Sequence, residues 1–286
     1  MKKKTDKKKY YLSWTLSDEL WEKIKIEIPQ RKRDKNKKYK NKPGQGRKPI
    51  PPRKVLEGIL YVLRTGCQWK AVPKEYGAGS SIHKYFQEWE ATGFFEKLWV
   101  MALEEYDKEK GIGWEWQSVD GCMVKAPLAR EAVGHNPTDR GKMGTKRSVL
   151  TDEKGIPLSV VLDGANRHDI KLLEKTLNNM VKFKSEITDN TPQNLCLDAG
   201  YTGAEKIISD KKYVLHIRPR GEEKEEKIKN PNFKARRWVV EVTHSFFNRF
   251  RKLLVRYEKK ARNYLALIHF ACAIIVWRKI IPVHKQ

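Results

Sequence analysis

A short apolar run that ends in a carboxylate and is then turned by a glycine, Leu195-Cys196-Leu197-Asp198-Ala199-Gly200-Tyr201, sets the terms on which this chain can fold. Such a run is too short for a helix and suits the core of a buried strand. Asp198 is left rigidly at the strand end, a position from which a carboxylate can serve a metal ion. Most strand-end aspartates only cap the next turn or helix. Asp198 therefore gains a functional meaning only if the rest of the chain supplies partners for it.

The neighbouring elements can be read in order. Leu16 to Ile28 reads as a short helix with Ser17 as N-cap and Pro29 at its end. Pro51-Pro52 opens a helix over Arg53 to Arg64, with Val55, Ile59 and Val62 in its apolar stripe and Gly66 as its stop. Ser80-Ser81 caps a helix over Ile82 to Ala91, and Phe94 to Tyr106 makes another after Gly93. Helices joined by short glycine turns, with Lys70, Lys74, His83 and Lys84 outward, suit a helix-turn-helix-like module or an ordinary helical bundle equally well.

From Gly111 the texture changes. Trp114 to Asp120 reads as a strand, followed by a glycine- and charge-rich loop from Gly134 to Lys146. Arg147 to Thr151 and Ile156 to Leu162 form a hairpin across Asp152-Glu153-Lys154-Gly155. A helix over Asp169 to Lys182, the Leu195 to Asp198 strand, a short helix from Gly203 to Ser209 and a strand from Tyr213 to Ile217 come next. A final long helix is expected from about Arg236 to Tyr257. The order β-β-β-α-β-α-β-α is that of an α/β ribonuclease-H-like fold, a mixed sheet with flanking helices. The expected division is a basic helix and arm over 1–50, a helical DNA-binding module over 51–110, and a catalytic domain over 111–286.

The formal charge is +25, from 60 Lys and Arg against 35 Asp and Glu, which is more than solubility needs. It points to a polyanionic partner, nucleic acid first and an anionic membrane surface second. The excess is densest in Lys2-Lys3-Lys4, Lys7-Lys8-Lys9 and the run from Arg31 to Lys42. The apolar stretch Tyr264 to Trp277 contains His269, is short for a bilayer span, and reads as a buried helix. Four cysteines without paired spacing (Cys67, Cys122, Cys196, Cys272) read as reduced thiols of a cytosolic protein.

Asp120 is expected at the end of the first strand of the sheet. If that strand neighbours the one ending in Asp198, the two carboxylates can share a magnesium site, since oxygen ligands suit hard ions. The third acid is Glu241 on the last helix. At helical spacing Val239, Val242, Phe246, Phe250 and Leu253 form the buried stripe, with Arg237, Glu241, Ser245, Asn248 and Lys252 opposite. Two ions about 3.5–4 Å apart would serve phosphodiester chemistry. Other motifs fail: Gly141-Lys142 is followed by Met143 and lacks phosphate-loop spacing. Asp169 reads as serving a helix N-terminus. His216 and His269 read as core histidines, and His244, one turn beyond Glu241, is a minor site candidate.

Several stretches together resemble a bacterial DDE transposase of the insertion-sequence-5-like group, within the insertion-sequence-4/5 superfamily. They are Gly66-Cys67-Gln68-Trp69-Lys70 with Phe86-Gln87-Glu88-Trp89; Ser118-Val119-Asp120-Gly121; Asn136 to Lys142 leading into Gly144-Thr145-Lys146; Asp198-Ala199-Gly200-Tyr201; and Arg237 to Glu241. The resemblance spans roughly Leu16 to Ile280. It implies Asp120, Asp198 and Glu241 as the acids, holding two Mg²⁺ (or Mn²⁺), and Arg237 one turn before the third. Lys234 and Asn248 stand where the pattern has a tyrosine and a lysine. The implied activity is binding of terminal inverted repeats, cleavage at the element ends and joining of 3′-hydroxyls to target DNA, by a homodimer or higher assembly without membrane or small-molecule cofactor. Arg47, Lys48, Lys70, His83, Lys84, Arg140, Lys142, Lys146, Arg237, Asn248, Arg249 and Lys252 are the expected DNA contacts. A non-catalytic DNA-binding protein and a nuclease that does not join ends are the competing readings.

Overall fold

The structure is a computed structural model that describes residues 15–31, 36, 38, 40, 42, 48–180, 193–208, 213–217, 228–229 and 238–280. Arg47, Lys234, Arg237 and most of the basic run 31–42 lie outside the described residues, as do the N-terminal lysine clusters. The chain divides into two compact units, Met1–Phe94 and Phe95–Gln286.

In the first unit α1 is Asp18–Ile24, and the Ser17 side chain accepts from the Leu20 N–H at 3.2 Å, as an N-cap should. Helix α2 (Pro52–Thr65) begins on proline and ends at Gly66, whose φ of 73° is the left-handed conformation that glycine adopts without strain. Arg53 ties the two together: its guanidinium reaches Asp18 at 2.7 Å and the Leu16 carbonyl at 2.7 Å. Helix α3 is Gly79–Ala91, so Ser80 and Ser81 stand inside its first turn; Ala78 is the N-cap and supplies no side-chain bond. Residues 66–78, including a 3₁₀ turn at Trp69–Ala71, separate α2 from α3. The expected short glycine turn is absent there, and this link is much longer than the about 3–4 residues of a helix-turn-helix. Its room is filled by Trp69, which stacks on His83 (4.8 Å between ring centroids) and meets Phe86 at 5.0 Å.

The second unit holds a mixed sheet built from β1 (Trp116–Lys125), β2 (Gly134–His135), β3 (Met143–Asp152), β4 (Pro157–Gly164), β5 (Gln193–Leu197) and β6 (Tyr213–Ile217). The five main strands run β4-β3-β1-β5-β6, with β2 pairing the end of β3. The β4-β3-β1 pairings are antiparallel and the β1-β5-β6 pairings parallel, which is the ribonuclease-H-like arrangement. The β3–β4 hairpin turns on Asp152, a fully buried carboxylate that accepts from Lys154, Ile156 and Gly113 backbone N–H groups.

Strand alternation sends successive β3 side chains to opposite faces. Ser148 meets Thr176 of α5 (Ile170–Asn178) at 2.8 Å, whereas Arg147 lies over the Phe247 ring of α7 (Trp238–Asn248) at 4.8 Å. Helix α5 therefore covers one face and α7 the other. Between β5 and β6 lies the short α6 (Glu205–Ile208). Helix α8 (Ala261–Ile280) is long and apolar enough to cross a membrane by length and composition, and 83% of its most apolar window is buried in the protein. Its length exceeds the expected Tyr264 to Trp277. It packs with α4 (Phe94–Lys110) through Phe270 against Phe95, and Trp99 donates to the Pro157 carbonyl of β4 at 3.1 Å. All of α4 but its first residue thus belongs to the second unit, where the sequence division at 110/111 put it with the first.

The expected long final helix breaks. Helix α7 stops at Asn248, and Arg251–Leu253 is a separate 3₁₀ turn. The buried face of α7 is Val239, Val240, Thr243, His244 and Phe247, and Phe246 is only half-buried. The expected stripe extrapolated a helical period through the break, and Phe250 and Leu253 are buried from the turn that follows.

Candidate active site

Strand β1 does not end at Asp120; it runs on to Lys125, held by β3 through the pair Lys125↔Gly144. What ends there is its parallel partner. Strand β5 stops at Leu197, and the last β1–β5 pair is Ser118↔Cys196. Two residues further along each chain stand Asp120 and Asp198. The same register carried forward puts both carboxylates at one level, where β5 peels away and opens the edge of β1. This is the crevice at strand carboxyl ends where open α/β sheets bind ligands.

Asp198 also does what a strand-end aspartate ordinarily does: its Oδ1 accepts from the Gly200 N–H at 2.9 Å. That bond orients one oxygen and leaves the other available.

Asp120 carries the clearest electrostatic mark. Burial raises its pKa to about 6; the Gly121 N–H opposes the rise, and the negative charges of Asp198, Asp169 and Glu241 add to it. The charges of Asp198 at the end of β5, of Asp169 before α5 and of Glu241 on α7 thus each act on Asp120. Glu241 projects from the exposed side of α7, with Ser245 and Asn248 exposed along the same side. One turn on, His244 is buried, and its Nε2 lies 3.7 Å from Asp120 Oδ2. Burial and then the nearby Arg147 charge push its pKa down to about 3, so the imidazole beside Asp120 is neutral.

Two residues that read as unremarkable in the sequence belong to this place. Asp169 precedes α5 yet makes no side-chain cap bond; its Oδ2 pairs with Lys146 Nζ at 2.8 Å. Tyr201, expected only as part of the second motif, is buried, and its hydroxyl pKa is raised by burial and by Asp169, Asp120 and Asp198. The signal that could have found Asp169 is Gly121 directly after Asp120, which leaves room on the face of β1 opposite Asp120.

The expected DNA-contacting cations sort differently. Lys48, Lys70, Lys84, Arg140, Lys142, Asn248 and Arg249 are exposed, and His83 is half-buried in its stack on Trp69. Lys146 is buried against Asp169, and Lys252 is buried 3.1 Å from Glu258, so neither stands at the surface as expected. Both lysines sit where the backbone turns them inward, and each tolerates burial because it has an acid partner. The exposed Arg140 has a φ of 52°, at the tip between β2 and β3.

Among the described residues no three His, Cys, Asp or Glu side chains form a ready metal cage. The carboxylates of Asp120, Asp198 and Glu241 are oxygen donors, the kind that suits a hard divalent cation.

Residues 117–276, more than half of the chain, match the family described as "Transposase DDE domain", and residues 16–99 match "Putative transposase of IS4/5 family". A "Putative transposase for insertion sequence element IS402" from Burkholderia cepacia is 30% identical over 154 residues, covering 52% of this chain and 70% of that protein. A second protein of the same element, "uncharacterized 16.2 kDa protein", is 31% identical over 126 residues, covering 43% of this chain and 80% of its own length. A pre-cleavage Mos1 transpososome aligns over 73% of this chain and 80% of its own, at 10% identity and a TM-score of 0.26, too low to bear on the assignment. Family match, relatives and strand order agree: the chain belongs to the DDE transposases, in their IS4/5-like branch.

Proposed function

We propose that this chain binds the terminal inverted repeats of its own element, cleaves DNA at the ends and joins the 3′-hydroxyls to target DNA. The observation that carries the reading is the placement of Asp120 and Asp198 at one level of adjacent parallel strands, with the Glu241 charge reaching Asp120. Asp120, Asp198 and Glu241 would hold two Mg²⁺ ions, with Mn²⁺ as a substitute. Bound there, the ions supply the charge that activates the attacking water or 3′-hydroxyl and stabilises the leaving oxygen. The protein's part is then to fix the phosphodiester in line, a task of positioning rather than of a nucleophilic side chain.

Arg140 and Lys142 at the β2–β3 tip, with Asn248 at the end of α7 and Arg249 just beyond it, are placed in this reading against phosphates. Lys48, Lys70 and Lys84 of the first unit take part in end recognition. Phosphate contacts would set the register of the DNA, and contacts to base edges its sequence. Two ends would be held by a homodimer or higher assembly, acting on nucleoid DNA in the cytoplasm.

The test is Mg²⁺-dependent nicking and joining on DNA bearing the element ends. The expected result is joined product from the wild-type chain and none from Asp198→Ala, with end binding retained. Unchanged joining by Asp198→Ala overturns the reading. Binding without cleavage in the wild type favours a non-catalytic DNA-binding protein, and nicks without joined product favour a simple nuclease.

A further inference from the structure

We propose that the end of the sheet beyond Asp120 is a separate DNA-binding surface, which grips duplex phosphates about half a helical turn from the cut. Lys125, Arg130, Lys259 and Lys260 form it together with Arg140 and Lys142 of the β2–β3 tip. It rests on the transposase reading above and adds where along the DNA the protein holds.

Segments from distant parts of the chain are fastened together at this end. Val255 bridges Lys125 in parallel, and the Arg256 N–H donates to the Lys125 carbonyl at 2.8 Å. The Arg130 N–H donates to the Lys259 carbonyl at 3.0 Å. Arg256 is fully buried, and its guanidinium donates to the Glu258 carbonyl at 3.1 Å, the Ala132 carbonyl at 3.0 Å and Thr145 Oγ1 at 2.8 Å. One buried arginine thus ties the 126–133 and 255–260 loops to β3. The β2–β3 tip is held as firmly. The Asn136 carbonyl accepts from the Asp139 and Gly141 N–H groups at 3.2 and 3.0 Å, and its Oδ1 accepts from the Thr138 N–H and hydroxyl at 3.0 and 2.9 Å. Charges carried on loops fixed in this way stand in set places.

Those charges are of one sign. The acids of these segments are engaged elsewhere: Asp139 pairs with Lys125 at 3.6 Å, Glu131 accepts the Ala261 N–H at 2.9 Å where α8 begins, and Glu258 is buried 3.1 Å from Lys252. Arg130, Arg140, Lys142, Lys259 and Lys260 are exposed, and the Lys125 side chain stays 63% exposed despite its partner. Cations gathered on a rigid frame repel one another, and a polyanion relieves that repulsion. Arg140 is held besides in a left-handed conformation that residues other than glycine disfavour, as happens where a side chain must be aimed.

Strand β1 itself is the ruler. It runs unbroken from Asp120 to Lys125, a rise of about 17 Å at roughly 3.4 Å per residue. Half a turn of B-DNA is also about 17 Å, or about five base pairs. A duplex seated with its scissile phosphate at Asp120 and lying along β1 meets this surface at that distance.

The experiment is DNA binding by the full chain as a function of salt, without divalent metal so that nothing is cut, together with phosphate ethylation interference. The probes are a duplex bearing the element end and a branched duplex in which that end is already joined to target DNA. Wild type is compared with Arg140→Ala/Lys142→Ala, with Lys259→Ala/Lys260→Ala, and with Lys171→Ala/Lys175→Ala, which removes equal charge from the exposed side of α5 across the sheet from Asp120. Circular dichroism confirms that each is folded. The first two pairs are each expected to lower the salt slope by about 1.8 log units, two phosphates' worth, and the α5 pair to leave it unchanged. Ethylation about five base pairs from the cut is expected to interfere with binding of the wild type and of the α5 pair only. An effect on the end duplex assigns the surface to the element, and an effect on the branched duplex alone assigns it to target DNA. Wild-type slopes in both tip and loop pairs on both DNAs, an equal fall in the α5 pair, or interference confined to phosphates beside the cut overturns the proposal and leaves the transposase reading intact. Failure of the wild type to bind either DNA overturns that reading, and this proposal with it.

Discussion

His244 Nε2 lies 3.7 Å from Asp120 Oδ2, one turn along α7 from Glu241. A buried, neutral imidazole thus walls one side of an acid that is itself half-buried. His244→Ala is expected to open a void beside Asp120 and lower end joining by about tenfold, the scale on which outer partners act at metal sites. His244→Gln, which keeps a neutral polar side chain of similar reach, should stay within about threefold. Joining rates at saturating metal distinguish the two.

The exposed and buried cations should separate in binding assays. Lys142→Ala and Arg249→Ala are each expected to reduce affinity for element-end DNA and to lower the salt slope by about 0.9 log unit, the share of one neutralised phosphate. Lys252→Ala should leave the salt slope unchanged. It strands the buried Glu258 and should instead cost about 3–5 kcal/mol in denaturant unfolding.

A pH dependence of stability follows from His269, buried in α8 against Trp99 at 5.1 Å between ring centroids. Burial lowers its pKa from 6.5 to about 4. The unfolded chain takes up the proton first, so this contribution is complete above about pH 6.5 and is lost as pH falls toward 4. His269→Leu should flatten the fall in denaturation midpoint across that window. An unchanged slope would assign the acid lability to other groups, of which His244 is the nearest in kind.

The order of the strands along the chain was legible because it rests on local patterns: apolar runs of strand length, and Asp152 and Gly155 at a hairpin. Asp169 was not, since an aspartate before a helix has an ordinary use as a cap, and only the pairing of β1 with β3 brings Gly121 and Lys146 around it. Lys146 and Lys252 were misplaced for the same reason. A lysine reads as surface unless its acid partner is known, and here the partners lie 23 residues and 6 residues away. The α7 stripe failed because a period continues through a helix stop that the sequence does not announce.

In the proposed reaction Asp120, Asp198 and Glu241 meet at metal. The most direct measurement is anomalous diffraction from crystals of the full chain soaked in Mn²⁺. The predicted result is one or two Mn²⁺ peaks ligated by Asp120 and Asp198, with Glu241 turned toward them. Manganese bound elsewhere, with these three carboxylates apart and unligated, would contradict it.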